Sequence, residues 1–181
     1  MGCGKSSVGK ILATLLPECR LIDLDTYIEE KQGKNIPEIF NEYGEAAFRR
    51  MEREALEEIF SDKSRPRAIL SLGGGTVTSE QCRQLIRQHT DCFYLRATTD
   101  TLLDNLEGHS DGRPMLNPTQ PVEAQSTETS SEREALRRRI ESLMQTRSPQ
   151  YIATAHHIID IDGLSFAQIA EAVEDNILNI K

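Results

Sequence analysis

The chain has 181 residues, about the size of one domain, and 38% of them are hydrophobic, which is enough to form a core. Its 21 Lys and Arg residues against 29 Asp and Glu residues give a net charge of −8, which argues against a general nucleic-acid-binding surface. No apolar run is long enough to cross a membrane. The 4 cysteines lack metal-ligand spacing, which indicates free thiols in a reducing compartment. We therefore expect one cytosolic domain over residues 1–181, a monomer without nucleic-acid or membrane partners.

The first residues of the chain predict a phosphate-binding loop. Gly4, Lys5 and Ser6 match the last three positions of the pattern G-x-x-x-x-G-K-[ST], and apolar residues at helical spacing follow at once. Lys5 would bring a positive charge to the β- and γ-phosphates of a bound nucleotide, and the Ser6 hydroxyl would bind Mg²⁺. Backbone amides at the start of the helix would hold phosphate oxygens. The predicted nucleotide-binding residues are Gly2, Cys3, Gly4, Lys5, Ser6 and Ser7.

Short apolar strands alternate with helices along the rest of the chain, which predicts a parallel sheet covered by helices on both faces. Strands are predicted at 21–25, 68–72, 92–95 and 157–161. Helix caps are predicted at Ser79, Thr98, Ser131 with Glu134, and Ser165 with Gln168. Gly44 is expected to interrupt one helix, and the helix opened by Ser131 is expected to end near Pro149. The stretch 108–130 is rich in Pro, Gly, Ser and Thr, which predicts a lid.

Two carboxylates, Asp23 and Asp25, stand at the C-terminal end of the first predicted strand, where open α/β sheets bind their ligands. Residues at i and i+2 of a strand share a face. One carboxylate would then bind Mg²⁺, directly or through water, while the other accepts a proton from a substrate hydroxyl. By themselves, the two residues are explained better as a solvated strand end with a helix-capping aspartate.

The next predicted strand ends in Gly73, Gly74 and Gly75, which we call the triple-glycine turn. Three residues without side chains allow a ligand to approach the backbone closely, with N–H groups as donors. A plain flexible turn is the alternative, and it is less convincing for three glycines than for two.

Three arginines carry the planar guanidinium group that binds carboxylates and phosphates: Arg49, Arg113 and Arg147. Arg113 lies in the predicted lid, as a cation delivered on closure would. Helical spacing places Arg49 and Glu52 on the polar face of a helix, so that solvated surface is the simpler explanation for Arg49 alone. The same spacing places Phe166 on the core face of the last helix.

Taken in order, these motifs resemble the shikimate kinase family from residue 2 to about residue 151. The matching segments are Lys5-Ser6, Asp23-Leu24-Asp25, Phe48-Arg49-Arg50-Met51-Glu52, Leu72-Gly73-Gly74-Gly75, Arg113-Pro114-Met115-Leu116 and Arg147-Ser148-Pro149-Gln150-Tyr151. The resemblance implies a P-loop kinase with three α/β/α layers and a five-stranded parallel sheet. It also implies that MgATP phosphorylates the 3-hydroxyl of shikimate, a step towards chorismate and aromatic amino acids.

The resemblance assigns roles at the nucleotide. Lys5 would hold phosphates, and Ser6 would bind Mg²⁺ with support from Asp23 through water. Arg113 would close with the lid onto the phosphates and stabilise the transferred group. Where the family usually has an arginine that packs on adenine, this sequence has Asn105 and its neighbours.

The resemblance also assigns the acceptor site. Asp25 would bind the shikimate hydroxyls and orient or deprotonate the attacking one. Arg49 and Arg147 would clamp the carboxylate of shikimate. The triple-glycine turn would lie against the ring, through Gly74 and Gly75 in particular.

In the family, a strand that feeds the phosphate loop lies between the strands predicted here at 68–72 and 92–95. We expect about 8–12 residues ahead of Met1, an apolar strand and the first glycine of the loop. Without that strand, unpaired buried backbone groups would cost about 1–3 kcal/mol each. The sum would exceed a typical stability of about 5–15 kcal/mol.

The sequence leaves three alternatives open. A gluconate kinase has a related fold and a carboxylate substrate, although Asp23, Asp25 and the triple-glycine turn favour shikimate. A nucleotide-binding module made inactive by an incomplete loop would bind ATP without turnover. The pattern of Gly2 and Ser6 also fits N-myristoylation, which explains nothing further along the chain.

Overall fold

The computed structural model describes residues 2–62, 67–106 and 128–179, with side chains from residue 132 onward in the last range. Within these ranges, helices and strands alternate, as the sequence predicts. The strands are β1 (Arg20–Asp23), β2 (Ala68–Ser71), β3 (Phe93–Arg96) and β4 (His157–Asp160). The helices are α1 (Lys5–Leu15), α2 (Leu24–Gln32), α3 (Ile36–Ser61), α4 (Glu80–His89), α5 (Thr99–Leu106), α6 (Glu128–Thr154) and α7 (Phe166–Asn179), with a 3₁₀ turn at Thr76–Thr78.

All the strands in these ranges pair in parallel, which confirms the predicted α/β class. Strand β1 pairs with β2, in a register that sets Asp23 opposite Ser71. Strand β3 pairs with β4, in a register that sets Arg96 opposite Asp160. Because parallel strands end at the same edge of a sheet, Asp23 and the residues after Ser71 come together at one edge.

Strands β2 and β3 do not pair directly with each other in the described part of the chain. A cavity of about 590 Å³ has lining residues from both strands and from α1. Its lining is largely apolar and includes Val8, Leu12, Ile69, Leu70 and Leu95. The strand expected between β2 and β3 stays a prediction.

Two apolar clusters form the core. One joins α1, α5, α6 and α7 through side chains such as Leu12, Leu103, Ile140 and Ile169. The other joins α2, α3 and α4 through side chains such as Ile28, Ile39, Leu56 and Ile86. Among the helices of the described ranges, none has an apolar stretch of membrane-spanning length. All four cysteines are free thiols, as expected.

The predicted end of the first strand is wrong by two residues, because Asp23 caps a helix. Its carboxylate accepts hydrogen bonds from the backbone amides of Asp25 and Thr26, so α2 begins at Leu24. Asp25 therefore lies in the first turn of a helix and does not share a strand face with Asp23. The caps at Ser79, Thr98 and Ser165 are confirmed.

The predicted bounds of helix α6 are wrong at both ends. It begins at Glu128, before the capping box expected at Ser131, and it continues past Pro149 to Thr154. Contacts beyond the proline hold the last turn, since the Thr154 hydroxyl donates to the carbonyl of Gln150 and Tyr151 bonds to the triple-glycine turn. Residues 108–127 of the predicted lid lie outside the described residues, and 128–130 are helical.

Gly44 does interrupt helix α3, with φ 76° and ψ 170°. Phe166, predicted in the core, is instead 38% exposed. Its ring packs against the phosphate loop, where a Cβ on Gly4 would lie 2.4 Å from a ring carbon.

Candidate active site

The phosphate loop turns directly into helix α1. Gly2 and Gly4 have φ values of 69° and 74°, a left-handed conformation that favours glycine. Gly4 is the N-cap of α1, and no acidic residue lies in the first turn of that helix. The Asn105 amide donates to the carbonyl oxygen of Gly2 over 2.9 Å, so the α5 segment that lacks the family's usual arginine supports the loop. The positive end of α1, together with Lys5, is suited to bind an anion.

Asp23 connects the phosphate loop with the sheet edge. Its Oδ1 caps α2, while its Oδ2 accepts a hydrogen bond of 2.9 Å from the Ser6 hydroxyl. The aspartate is therefore both a helix cap and a member of the candidate site. A hydroxyl and a carboxylate oxygen in contact are the hard ligands that Mg²⁺ prefers, so Ser6 and Asp23 fit the predicted metal position.

Asp25 is largely buried beside other acidic groups. Burial raises the pKa of its carboxyl from 3.8 to about 6, and the charges of Asp23 and Glu52 act in the same direction. The positive charge of Lys5 lowers the pKa of Asp25 and so opposes these effects in part. A carboxylate with a pKa near neutral is a suitable general base.

The triple-glycine turn brings the predicted acceptor residues together. A Cβ on Gly73 would lie 2.8 Å from Oδ1 of Asp25, and one on Gly75 would lie 2.2 Å from Nη2 of Arg49. The carbonyl oxygen of Gly74 accepts a hydrogen bond of 3.3 Å from Nη1 of Arg147. Side chains from α2, α3 and α6 thus meet at three successive glycines, and a side chain on the first or third would collide with them.

The buried side chain of Glu52 binds Arg49, although the sequence predicts Glu52 on the solvated face of the helix. Glu52, expected on a solvated face, is fully buried and accepts a hydrogen bond of 2.6 Å from Nη1 of Arg49. The hydroxyl of Thr76, itself buried, donates to the other Glu52 oxygen over 2.5 Å. A buried carboxylate is tolerated here because an arginine and a hydroxyl satisfy it.

Three residues of this site have no predicted role: Glu52 and Tyr151, which the sequence shows only as members of matching segments, and Thr76, which it does not single out. The Tyr151 hydroxyl donates to the carbonyl of Gly74 over 2.5 Å, beside Arg147. The spacing of Arg49 and Glu52 is visible in the sequence, but i, i+3 pairs are equally common on exposed helix surface. Arg113 lies outside the described residues, so its predicted role stays a prediction.

Comparison with known proteins supports the resemblance to the shikimate kinase family along nearly the whole chain. The family model described as "Shikimate kinase" matches residues 1–177. A shikimate kinase of Thermus thermophilus is 33% identical over 177 residues, which are 98% of this chain and 85% of that protein. The shikimate kinase of Chlorobaculum tepidum is 39% identical over 151 residues, 83% of this chain and 73% of that protein.

Solved structures agree with the sequence comparison. Shikimate kinase from Acinetobacter baumannii in complex with shikimate superposes with a TM-score of 0.83 at 30% identity, covering 100% of this chain and 90% of that one. Shikimate kinase from Bacteroides thetaiotaomicron superposes with a TM-score of 0.81 at 27% identity, covering 98% and 93%. Since the family model spans nearly the whole chain and these relatives match most of it, the chain belongs to the shikimate kinase family and has its P-loop α/β fold.

Proposed function

We propose that this chain transfers the γ-phosphoryl group of MgATP to the 3-hydroxyl of shikimate. The observation that carries the proposal is the convergence of Asp25, Arg49 and Arg147 on the triple-glycine turn. Two cations and one carboxylate with a raised pKa suit an acceptor that has both a carboxylate and hydroxyl groups. The Ser6–Asp23 hydrogen bond joins this acceptor site to the phosphate loop.

In the proposed reaction, positioning and charge neutralisation supply most of the catalysis. Arg49 and Arg147 fix the acceptor by its carboxylate. The oxygen of the shikimate hydroxyl bonds to the γ-phosphorus, and Asp25 takes the proton of that hydroxyl. ADP leaves with the electrons of the broken P–O bond. Lys5 and the loop amides hold the phosphates. Mg²⁺, held through Ser6 and Asp23, would neutralise phosphate charge when bound.

Further parts of the proposal rest on the resemblance and on composition. Arg113 and the stretch 108–130 form a lid that closes on the phosphates. The enzyme works as a monomer. It works in the cytoplasm, and the four free thiols support that reducing compartment.

The test is ADP release from MgATP measured side by side with shikimate, with gluconate and without an acceptor. We expect shikimate alone to stimulate release, and omission of Mg²⁺ to abolish the stimulation. Stimulation by gluconate would instead favour a gluconate kinase. Equal rates in all three samples of folded protein would favour an inactive nucleotide-binding module and contradict the proposal.

Replacing Gly75 with alanine should weaken acceptor binding without unfolding the protein. The backbone of Gly75 has φ −103°, which alanine adopts freely. The new methyl group would lie 2.2 Å from Nη2 of Arg49, so the guanidinium would have to move. We expect the KM for shikimate to rise about tenfold to a hundredfold, because small misplacements of a clamp are costly. An unchanged KM in steady-state assays, at an unchanged melting temperature, would show that Arg49 does not bind the acceptor.

A further inference from the structure

We propose that Glu45 is an internal competitor for the acceptor, occupying on Arg49 the place that the carboxylate of the substrate takes on binding. The proposal rests on the proposed function, in which Arg49 binds the shikimate carboxylate. Arg49 contacts two glutamates of its own helix, α3, and the two lie in very different surroundings.

The guanidinium of Arg49 donates hydrogen bonds to both of these glutamates. Nη1 donates to Oε2 of Glu52 over 2.6 Å, while Nη2 donates to Oε1 of Glu45 over 2.9 Å. Nε is buried and has no hydrogen-bond partner in the described structure. Nε and Nη2 together form one edge of the guanidinium plane, and such an edge can bind a carboxylate through two parallel hydrogen bonds. Glu45 uses only half of that edge.

The two glutamates differ in how firmly they are held. The Glu52 side chain is fully buried and is also bound by Thr76, so it is a permanent partner of Arg49. The Glu45 side chain is 49% exposed, and Arg49 is its only hydrogen-bonding partner among the residues described. Glu45 also follows directly after Gly44, where the helical backbone is interrupted. An exposed carboxylate of this kind returns to water at little cost.

An acceptor carboxylate that displaces Glu45 gains both donors of the edge, including the Nε group that is otherwise unpaired. A buried donor without a partner is costly, so this exchange favours an incoming group that makes two parallel bonds. An anion that makes only one contact gains nothing over Glu45. Glu45 thus weakens the binding of shikimate slightly and excludes poorer anions more strongly.

The experiment compares Glu45→Gln and Glu45→Ala with a matched control, Glu57→Gln. Glu57 lies on the same helix, is 46% exposed and pairs with Arg53 at a spacing of four residues, so the control removes the same charge away from the site. We expect the KM for shikimate to fall about two- to fivefold in both Glu45 variants, the range for an exposed ion pair. The kcat and the KM for ATP should not change, and Glu57→Gln should match wild type.

A KM for shikimate that stays the same or rises in both Glu45 variants would overturn the proposal. An equal fall in Glu57→Gln would do so as well, since the effect would then come from net charge alone. Failure of the proposed function is recognised separately. If wild-type protein does not turn over shikimate, the function is wrong, whereas shikimate turnover with unresponsive Glu45 variants contradicts the competition only.

Discussion

Asparagine in place of Asp25 is expected to remove most of the turnover and, at the same time, to make the ligand-free protein more stable. The loss of activity follows from the loss of the general base, which is worth about a hundredfold to ten-thousandfold in kcat. The KM for ATP should change much less, because Asp25 touches the triple-glycine turn rather than the phosphate loop. Steady-state assays with saturating ATP measure both quantities.

The gain in stability follows from the raised pKa of Asp25. Its carboxyl has a pKa of about 6 in the folded protein against 3.8 ordinarily, so folding favours the protonated form. The folded state therefore binds more protons than the unfolded state, and the free energy of unfolding falls as pH rises from about 4 to above 6. Ionised Asp25 costs the folded protein up to about 3 kcal/mol above that range. Asparagine carries no such cost.

Thermal melts without ligand or metal at several pH values test this account. At pH 8 the Asp25→Asn variant should melt above wild type, and the difference should shrink as pH falls towards 4. Asp175→Asn on the exposed surface of α7 is the control and should change neither stability nor kcat. An Asp25→Asn variant that melts below wild type at pH 8, or that keeps its kcat, would contradict the assignment.

Removing Arg147 should weaken shikimate binding by at least a few kcal/mol, about a hundredfold or more in KM, because an acceptor carboxylate would be left without its partner. Arg147→Ala is the cleaner of the two arginine variants. Arg147 contacts a backbone carbonyl, whereas Arg49 neutralises the buried Glu52. Arg49→Ala would strand that carboxylate at a cost of about 3–5 kcal/mol in stability.

Steady-state kinetics with varied shikimate and varied ATP separate the effects. Arg147→Ala should raise the KM for shikimate and leave the KM for ATP close to wild type. Arg138→Ala, on the exposed surface of the same helix, is the control and should behave as wild type, since its side chain is 74% exposed. A wild-type KM for shikimate in Arg147→Ala would reject the clamp.

The parts of this site that the sequence predicts are those set by local spacing. A phosphate loop needs its glycines, lysine and serine next to one another, so Gly4, Lys5 and Ser6 are recognisable without a structure. The triple-glycine turn can be recognised in the sequence because three adjacent glycines seldom occur without a structural or functional reason. The parallel α/β class follows from apolar strands alternating with helices.

The rest depends on contacts between distant elements. Glu52 is buried only because Thr76, from another part of the chain, and Arg49 satisfy it, and periodicity alone assigned it to solvent. Strand β1 ends at Asp23 because the side chain of this residue caps α2. The pattern of apolar and polar residues does not predict whether such a residue continues the strand or starts the helix. Helix α6 continues through Pro149 because tertiary contacts outweigh the lost hydrogen bond.

The arginines at the triple-glycine turn are expected to bind an acceptor carboxylate, and the site depends on this contact. The contact is tested most directly by measuring kcat/KM for wild type and Arg147→Ala, each with shikimate and with shikimate methyl ester, which lacks the charge. If the contact exists, the ester should lose at least about a hundredfold in wild type and far less in the variant, because coupled changes are not additive. Equal losses for the ester in both proteins would show that Arg147 and the carboxylate do not meet, and would contradict the account.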